Sequence, residues 1–202
     1  MGAGFLDFVR AVISADLSDV SRRLLANPRL ATAAAKAGAT RGDTGDFFFA
    51  DIAHYLYQGD TALHMAAAAF RRPAAQLLVA AGAAVGACNR RGAQPLHYAA
   101  DANHWDPDAQ ADTIAYLISA GADPNALDKS GVGPLHRAVR TRSLPAVRAL
   151  LDGGANPRLP NGSGSTPHDL AIHDTGRSGS GSTLARGQQA RILDLLAERS
   201  VH

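Results

Sequence analysis

The chain has 202 residues and a formal net charge of only +2 at pH 7, with 46% hydrophobic and 5% aromatic residues. This charge gives no strong field for nucleic acid, and no apolar run approaches the ~20 residues of a membrane-spanning helix. Because Cys88 is the single cysteine, an internal disulfide is excluded, and we expect a cytoplasmic protein.

The first 31 residues are predicted to form a helix pair that caps the fold. The segment "GFLDFVRAVISAD" places five apolar residues, from Phe5 to Ile13, at helical spacing. A second helix is expected to follow an N-cap at Ser18 or Asp19 and to end before Pro28.

Residues 32–56 join this cap to the remainder of the chain and contain most of an aromatic-rich stretch, "DFFFADIAHYLYQGD". Five of the eleven aromatic residues fall between Phe47 and Tyr57. Exposed aromatic side chains often anchor interfaces, so the aromatic segment, residues 46–57, is a candidate binding surface. The alternative is that it covers the open apolar edge of the helices that follow.

One short pattern then recurs along the chain. "TALHMAA", "QPLHYAA" and "GPLHRAV" place His64, His97 and His136 33 and then 39 residues apart, and "TPHDLAI" places Asp169 another 33 residues on. The extra residues lie in "DANHWDPDAQAD", residues 101–112. A repeat of this period predicts stacked helical units.

Each unit is predicted to contain two helices and a hairpin. Pro commonly opens the first helix, where its missing N–H is tolerated. The second helix carries paired Leu, Val or Ile and should end at Gly82, Gly121 and Gly154, which adopt the left-handed conformation easily. Turn glycines follow in "NRRGA", "DKSGV" and "NGSGS". One such unit cannot bury its apolar face alone, so the units must stack.

These motifs resemble ankyrin repeats, whose signature is T-P-L-H-x-A followed by G-A-D-x-N, and "GADPN" at residues 121–125 matches outright. The resemblance is to a bacterial-type member with insertions between helices. It implies a single all-α domain: a solenoid of stacked helix-turn-helix units with short hairpin loops and an N-terminal helical cap. The divisions are cap 1–31, insertion 32–56, repeats 57–88, 89–127 and 128–160, and a C-terminal repeat 161–202 whose "HDTGRSGSGSTLARG" is a Gly/Ser-rich loop.

The resemblance assigns the three repeated histidines to turn support through hydrogen bonds. His54 and His104 are unexplained by the repeat and have Asp51 and Asp106 nearby in sequence. An enzyme with a site built from the insertions, using His54, His104, Asp106 and His173 with Asp174, is therefore the alternative function. No HExxH or GxSxG motif is present, so we expect neither catalysis, nor a metal, nor a cofactor.

Ankyrin-repeat proteins generally bind other proteins through hairpin tips and the exposed ends of first helices. Carried onto this sequence, those positions are Tyr57, Gln58, Asp60, Arg90, Arg91, Asp101, Lys129, Ser130, Arg140, Thr141, Ser163, Ser165 and His173. Four cations of this set lie in the middle two repeats, which favours a protein partner with an acidic surface. We expect the chain to be monomeric alone and nucleic acid to be an unlikely partner, because aromatic residues do not interleave with the arginines.

Overall fold

A computed structural model describes residues 3–40, 42, 45–101, 106–172 and 183–200 of the chain. Its helices are α1 (Ala3–Ile13), α2 (Leu17–Ala26), α3 (Ala62–Ala68), α4 (Arg72–Ala80), α5 (Pro95–Ala99), α6 (Pro107–Ser119), α7 (Pro134–Arg140), α8 (Leu144–Asp152), α9 (Pro167–Ile172) and α10 (Thr183–Arg199). Two short strands, β1 (Phe48–Phe49) and β2 (His54–Tyr55), and 3-10 turns at Pro28–Ala31, Gly45–Phe47 and Ala50–Ile52 complete the regular elements of the described residues.

The N-terminal helix pair confirms the predicted apolar stripe, because Phe8 at its centre is fully buried. The predicted N-cap of α2 is wrong by two or three residues. Asp16 is the N-cap, since its carboxylate accepts the Asp19 N–H at 3.0 Å. Ser18 and Asp19 therefore lie inside the first turn of the helix, where Asp19 pairs with the arginine Arg23.

The helices are arranged in two adjacent rows. The first helices α3, α5, α7 and α9 pack side by side, with α1 against α3 at one end. The second helices α4, α6, α8 and α10 form the other row, with α2 against α4. We number the pairs α3–α4, α5–α6, α7–α8 and α9–α10 as repeats 1 to 4. The chain is thus an all-α solenoid of stacked helix pairs, as the sequence predicts.

The repeated histidine closes the start of the first helix in repeats 1 to 3. Nδ1 of His64, His97 and His136 accepts the backbone N–H three residues earlier, at 3.1, 3.2 and 3.1 Å. In repeat 4 the Asp169 carboxylate replaces the imidazole and accepts both the N–H and the hydroxyl of Thr166, at 2.8 and 2.7 Å. The turn-supporting role expected for these histidines is confirmed.

One hydrophobic core runs through the stack from α1 to α10. Its repeated members are Leu63, Leu96 and Leu135, which are 0%, 0% and 3% exposed. The alanines of α3 and α5 are fully buried beside them. These small side chains let the neighbouring first helices approach closely.

The second helices end as predicted. Gly82, Gly121 and Gly154 have φ angles of +93°, +99° and +90°, a conformation that glycine adopts at the lowest steric cost. In each case the glycine is the second residue after the end of the helix, and the chain then turns toward the next hairpin.

Two predicted loops are partly helical. Residues 107–112 of the insertion in repeat 2 belong to α6, which has 13 residues against 9 in α4 and α8. Asp106 makes this extension possible because its carboxylate accepts the Ala109 N–H at 3.1 Å and caps the helix. The Gly/Ser-rich loop was expected to reach Gly187, but α10 begins at Thr183 because "LARGQQAR" is rich in helix formers.

No helix in the described part of the chain is both long enough and apolar enough to cross a membrane.

Candidate partner-binding groove

A groove of about 620 Å³ opens where the hairpins meet the first helices. Three parts of the chain line it: residues 53–57 of the aromatic segment, the hairpins at 89–93 and 128–132, and the C-terminal ends of α5 and α7. Its volume falls within the roughly 300–1,000 Å³ that ligand sites usually offer. The groove is therefore the candidate binding site among the described residues.

Side-chain acceptors build the two hairpins that border the groove. The Asn89 side-chain carbonyl accepts the N–H groups of Arg91 and Ala93 at 2.8 and 3.1 Å. The Asp128 carboxylate accepts the N–H groups two and four residues farther on, at 2.8 and 3.0 Å. These bonds fix the backbone of each turn while Arg91 and Ser130 remain exposed.

Neighbouring hairpins are also tied together by their backbones. The Lys129 N–H donates to the Arg91 carbonyl at 2.9 Å, and the Gly162 N–H donates to the Gly131 carbonyl at 3.2 Å. Gly131 has a φ angle of +70°, and a Cβ there would lie 2.5 Å from the Gly162 nitrogen. Only glycine fits this close approach, so the spacing of the hairpin tips is fixed by the sequence.

The aromatic segment forms one wall of the groove. β1 and β2 pair antiparallel, and the rings of Phe48 and Tyr55 stack with centroids 4.7 Å apart. Ile52 and Leu56 are buried in the core, whereas Phe48 remains 43% exposed. The segment covers core residues with one side and lines the groove with residues 53–57, and its role as a binding surface stays a prediction.

His54 in β2 provides an unused hydrogen-bond acceptor in this wall. Its side chain lines the groove although the residue is only 9% exposed, and its ring packs on Tyr98 at a centroid distance of 4.6 Å. Nδ1 lies 2.8 Å from the Tyr55 carbonyl, which can only accept, so Nδ1 carries the proton. Burial lowers the pKa of His54 despite the opposing charge of Asp101. The ring is neutral at pH 7, and its Nε2 has no hydrogen-bond partner among the described residues.

An ion-pair cluster crosses the floor of the groove. The Arg137 guanidinium in α7 donates to Asp101 at 2.8 Å and to Asp128 at 2.9 Å. Burial opposes the charge of Arg137, but the two carboxylates more than compensate and raise its pKa. Burial alone would raise the pKa of Asp128, but the Val132 N–H and Arg137 outweigh it and hold the pKa below its usual range. Arg137 and Asp128 are both charged at pH 7, so the guanidinium is held by ion pairs within the chain.

Two other guanidinium groups that line the groove have no ion-pair partner among the described residues. Arg91 lies over the ring of Tyr57, with its central carbon 4.4 Å from the ring centroid. Arg140 is exposed at the C-terminal end of α7. Stacking on an aromatic ring restricts a guanidinium but leaves its in-plane N–H groups free for a carboxylate. These two arginines are the cations that the groove offers to a ligand.

The predicted position of Asp60 at the partner-binding surface is wrong, because the residue is completely buried. Its carboxylate accepts the Tyr57 N–H at 2.6 Å, the Asn89 amide at 2.9 Å and the Tyr98 hydroxyl at 2.8 Å. Burial raises the pKa of Asp60, and these donors partly oppose the rise. A partner cannot reach this residue, which instead joins repeat 1 to repeat 2.

Of the other predicted positions, some line the groove and some lie outside it. Six line the groove: Tyr57, Arg91, Asp101, Ser130, Arg140 and Thr141. Gln58, Arg90, Lys129 and Ser163 are exposed outside the groove, and Ser165 is half-buried. His173 lies outside the described residues. The exposed hairpin residues outside the groove belong to the same hairpin series as those that line it, so they extend the candidate surface beyond the groove.

The residues proposed for an enzyme are not brought together in the described part of the chain. His54 lines the groove, whereas Asp106 caps α6 and is not among the groove residues. His104, His173 and Asp174 lie outside the described residues. No group of three or more His, Cys, Asp or Glu side chains that could hold a metal occurs among those that the structure describes.

Sequence reasoning missed the residues that shape the floor of the groove. Asn89, Tyr98, Asp128 and Arg137 were not singled out as site residues, although all four line it. Their positions could have been found from the repeat register, since Tyr98 and Arg137 each follow a repeated histidine. Which side chains meet there depends on the insertion, and no periodicity describes an insertion.

Comparison with known families gives two matches. A model described as ankyrin repeats (3 copies) matches residues 10–128, and one described as ankyrin repeats (many copies) matches residues 117–171. No curated protein matches the chain. The first match begins near the end of α1 and covers α2, the aromatic segment and the first two repeats, which are more than half of the sequence.

Proposed function

This chain belongs to the ankyrin-repeat family, and we propose that it is a non-catalytic scaffold that binds a protein partner through the groove and the adjoining hairpin tips. Ankyrin repeats are generally protein–protein interaction modules and are typically non-catalytic. The partner surface is acidic, and the chain acts as a monomer toward it.

The observation that carries this proposal is the pair of arginines at the groove. Arg91 and Arg140 have no ion-pair partner among the described residues, whereas Arg137 between them is held by two carboxylates. Lys129 adds a further exposed cation on the neighbouring hairpin. Backbone hydrogen bonds already fix these hairpins, so a partner would lose little ordering entropy by binding there.

The test is affinity capture from a lysate of the source cells, followed by titration calorimetry with the captured partner. Wild type is compared with the double variant Arg91→Glu/Arg140→Glu. The matched control is Arg29→Glu/Arg148→Glu, which makes the same charge change at two exposed arginines that do not line the groove.

We expect wild type and the control to bind the partner and the groove variant to lose at least about tenfold in affinity, because each attraction becomes a repulsion. Circular dichroism checks that both variants remain folded. If the two double variants bind equally well, the partner does not use the groove. If no protein is captured under any condition, the scaffold function is wrong.

A further inference from the structure

The groove combines free hydrogen-bond acceptors with cations that have no ion-pair partner among the described residues. The Nε2 atom of His54 is an unpartnered acceptor on a side chain that is nine-tenths buried. One carboxylate oxygen of Asp101 pairs with Arg137, and the other has no partner among the described residues. Arg91 lies on the hairpin at 89–93, and Arg140 lies at the C-terminal end of α7.

A ligand that satisfies this arrangement needs hydrogen-bond donors and more than one anionic group. A simple ionised dicarboxylate supplies the anions but has no donor for His54, and a phosphate supplies an O–H donor but only a single anionic centre for two arginines. A peptide in an extended conformation has a backbone N–H at each residue, and its side chains can supply the carboxylates. The chemistry of the groove therefore favours a peptide over a small anion.

The positions of the two arginines agree with an elongated ligand. Arg91 lies on the hairpin at 89–93 and Arg140 lies at the C-terminal end of α7, so the two cations belong to different elements that line the groove. An extended chain advances about 3.3 Å per residue, so acidic residues at different positions along it can pair with both arginines.

We propose that the groove binds one extended segment of the protein partner, with one acidic residue paired with Arg91 and another paired with Arg140. Backbone N–H groups between the acidic residues donate to His54 and Asp101. The aromatic segment closes the groove on one side and so selects a single extended chain over a broad protein surface. This inference rests on the proposed scaffold function and adds the form of the partner.

The test uses a fluorescein-labelled seven-residue peptide with glutamate at its second, fourth and sixth positions and glycine or serine elsewhere. Binding to the full chain is followed by fluorescence anisotropy, and the contacted residues are mapped by NMR amide shifts. Three comparison probes have glutamine at the three positions, N-methylated glycines between the glutamates, or free glutarate alone.

We expect the glutamate peptide to shift the amides of residues 53–57, 89–93 and 128–132. Arg91→Gln and Arg140→Gln should each weaken its binding about fivefold, a typical loss for one partly exposed ion pair. Arg148→Gln, outside the groove, should leave it unchanged. His54→Phe, which keeps an aromatic ring over Tyr98, should weaken the glutamate peptide but not the N-methylated one.

Four results would overturn the inference. Equal binding of the glutamine peptide would remove the role of the carboxylates, and equal binding of glutarate would identify an anion site rather than a peptide site. A loss in Arg148→Gln as large as that in Arg140→Gln would indicate non-specific attraction. If the peptide fails while the captured partner still depends on Arg91 and Arg140, the scaffold function stands and the extended-segment inference falls.

Discussion

The contact between repeats 1 and 2 differs from that between repeats 3 and 4, although the same sequence pattern forms both. At the first contact, the His64 Nε2–H donates to the Ala93 carbonyl at 3.0 Å. The Asp60 carboxylate also accepts hydrogen bonds from the Asn89 amide and the Tyr98 hydroxyl of repeat 2. At the last contact, the buried Nε2 of His136 has no partner with good hydrogen-bond geometry among the described residues, although the backbone of Leu159 and Ser165 lies close enough to oppose the burial that lowers the pKa of His136.

This difference shows that a repeated residue has a fixed local role and a variable role between repeats. The Nδ1 bond of the histidine stays within one helix start and is the same in repeats 1 to 3. The Nε2 bond depends on where the next hairpin places a carbonyl, and therefore on the neighbouring sequence. The N-terminal half of the stack consequently has the more complete polar network.

The largest expected effect is a loss of stability in mild acid. Burial lowers the pKa of His64 and His97 to about 4, against an unfolded value near 6.5. The stabilising effect of the neutral rings is fully present above pH 6.5 and is lost as the pH falls toward 4, because only the unfolded chain then binds protons. We expect the free energy of unfolding to fall by about 3 kcal/mol between pH 7 and pH 5.

Urea unfolding at several pH values measures this loss, and NMR titration of the imidazole carbons identifies the histidines responsible. Asp60 acts with the opposite sign, since its raised pKa favours the folded state at lower pH. A stability that stays constant from pH 7 to pH 5, or imidazoles of His64 and His97 that titrate near pH 6.5, would contradict the assignment.

The next effect in size comes from replacing Asp60 at the first contact. Asp60→Ala removes a carboxylate that accepts hydrogen bonds from three donors. The Asn89 amide and the Tyr98 hydroxyl then lose that acceptor. Because the donors are buried, we expect a loss of about 2–3 kcal/mol in unfolding free energy. Ser165 holds the same register position in repeat 4, after which the structure describes no further repeat, so Ser165→Ala is the control and should cost less than about 0.5 kcal/mol.

Equal losses in the two variants would show that the first contact gains nothing from its buried carboxylate. The experiment also separates stability from binding, since Asp60 is inaccessible to a partner. Asp60→Ala should therefore retain peptide affinity under conditions in which it is still folded.

The periodic part of this molecule could be predicted from the sequence, and the part built by the insertion could not. The helix pairs, the capping histidines and the terminating glycines follow from residue type at a fixed spacing, because each acts within one helix or turn. Asp60 was assigned to the surface because its register position is exposed in hairpins of this kind. Its burial depends on Tyr98, which lies 38 residues away, and on the aromatic wall beside it.

The same reasoning explains the partial prediction of the groove. Six predicted positions line it because hairpin tips and helix ends converge in any such stack. His54 and Arg137 act through contacts between different elements, and the sequence pattern contains no signal for such pairs. Asp106 was predicted as a site residue for an enzyme because it lies near His104 in sequence, whereas the structure uses it to cap α6.

The smallest effect offers the most direct comparison of the two contacts. His64→Ala and His136→Ala each remove a buried imidazole and the same Nδ1 bond to a backbone N–H. Only His64 also loses a bond to the next repeat, at 3.0 Å to the Ala93 carbonyl. We expect His64→Ala to be more destabilising by about 1 kcal/mol, the usual net contribution of one hydrogen bond.

Urea midpoints of the two variants at pH 7.5, where both imidazoles are neutral, measure this difference. Working above the unfolded histidine pKa removes proton linkage, so the remaining difference reports the inter-repeat bond and the cavity at each site. Leu63→Ala and Leu135→Ala provide the cavity control, because these leucines hold equivalent buried positions in the same two repeats. If the histidine difference does not exceed the leucine difference, or if His136→Ala is the more destabilising change, the two contacts are equally well bonded in solution, and the polar network at the first contact does not make it stronger.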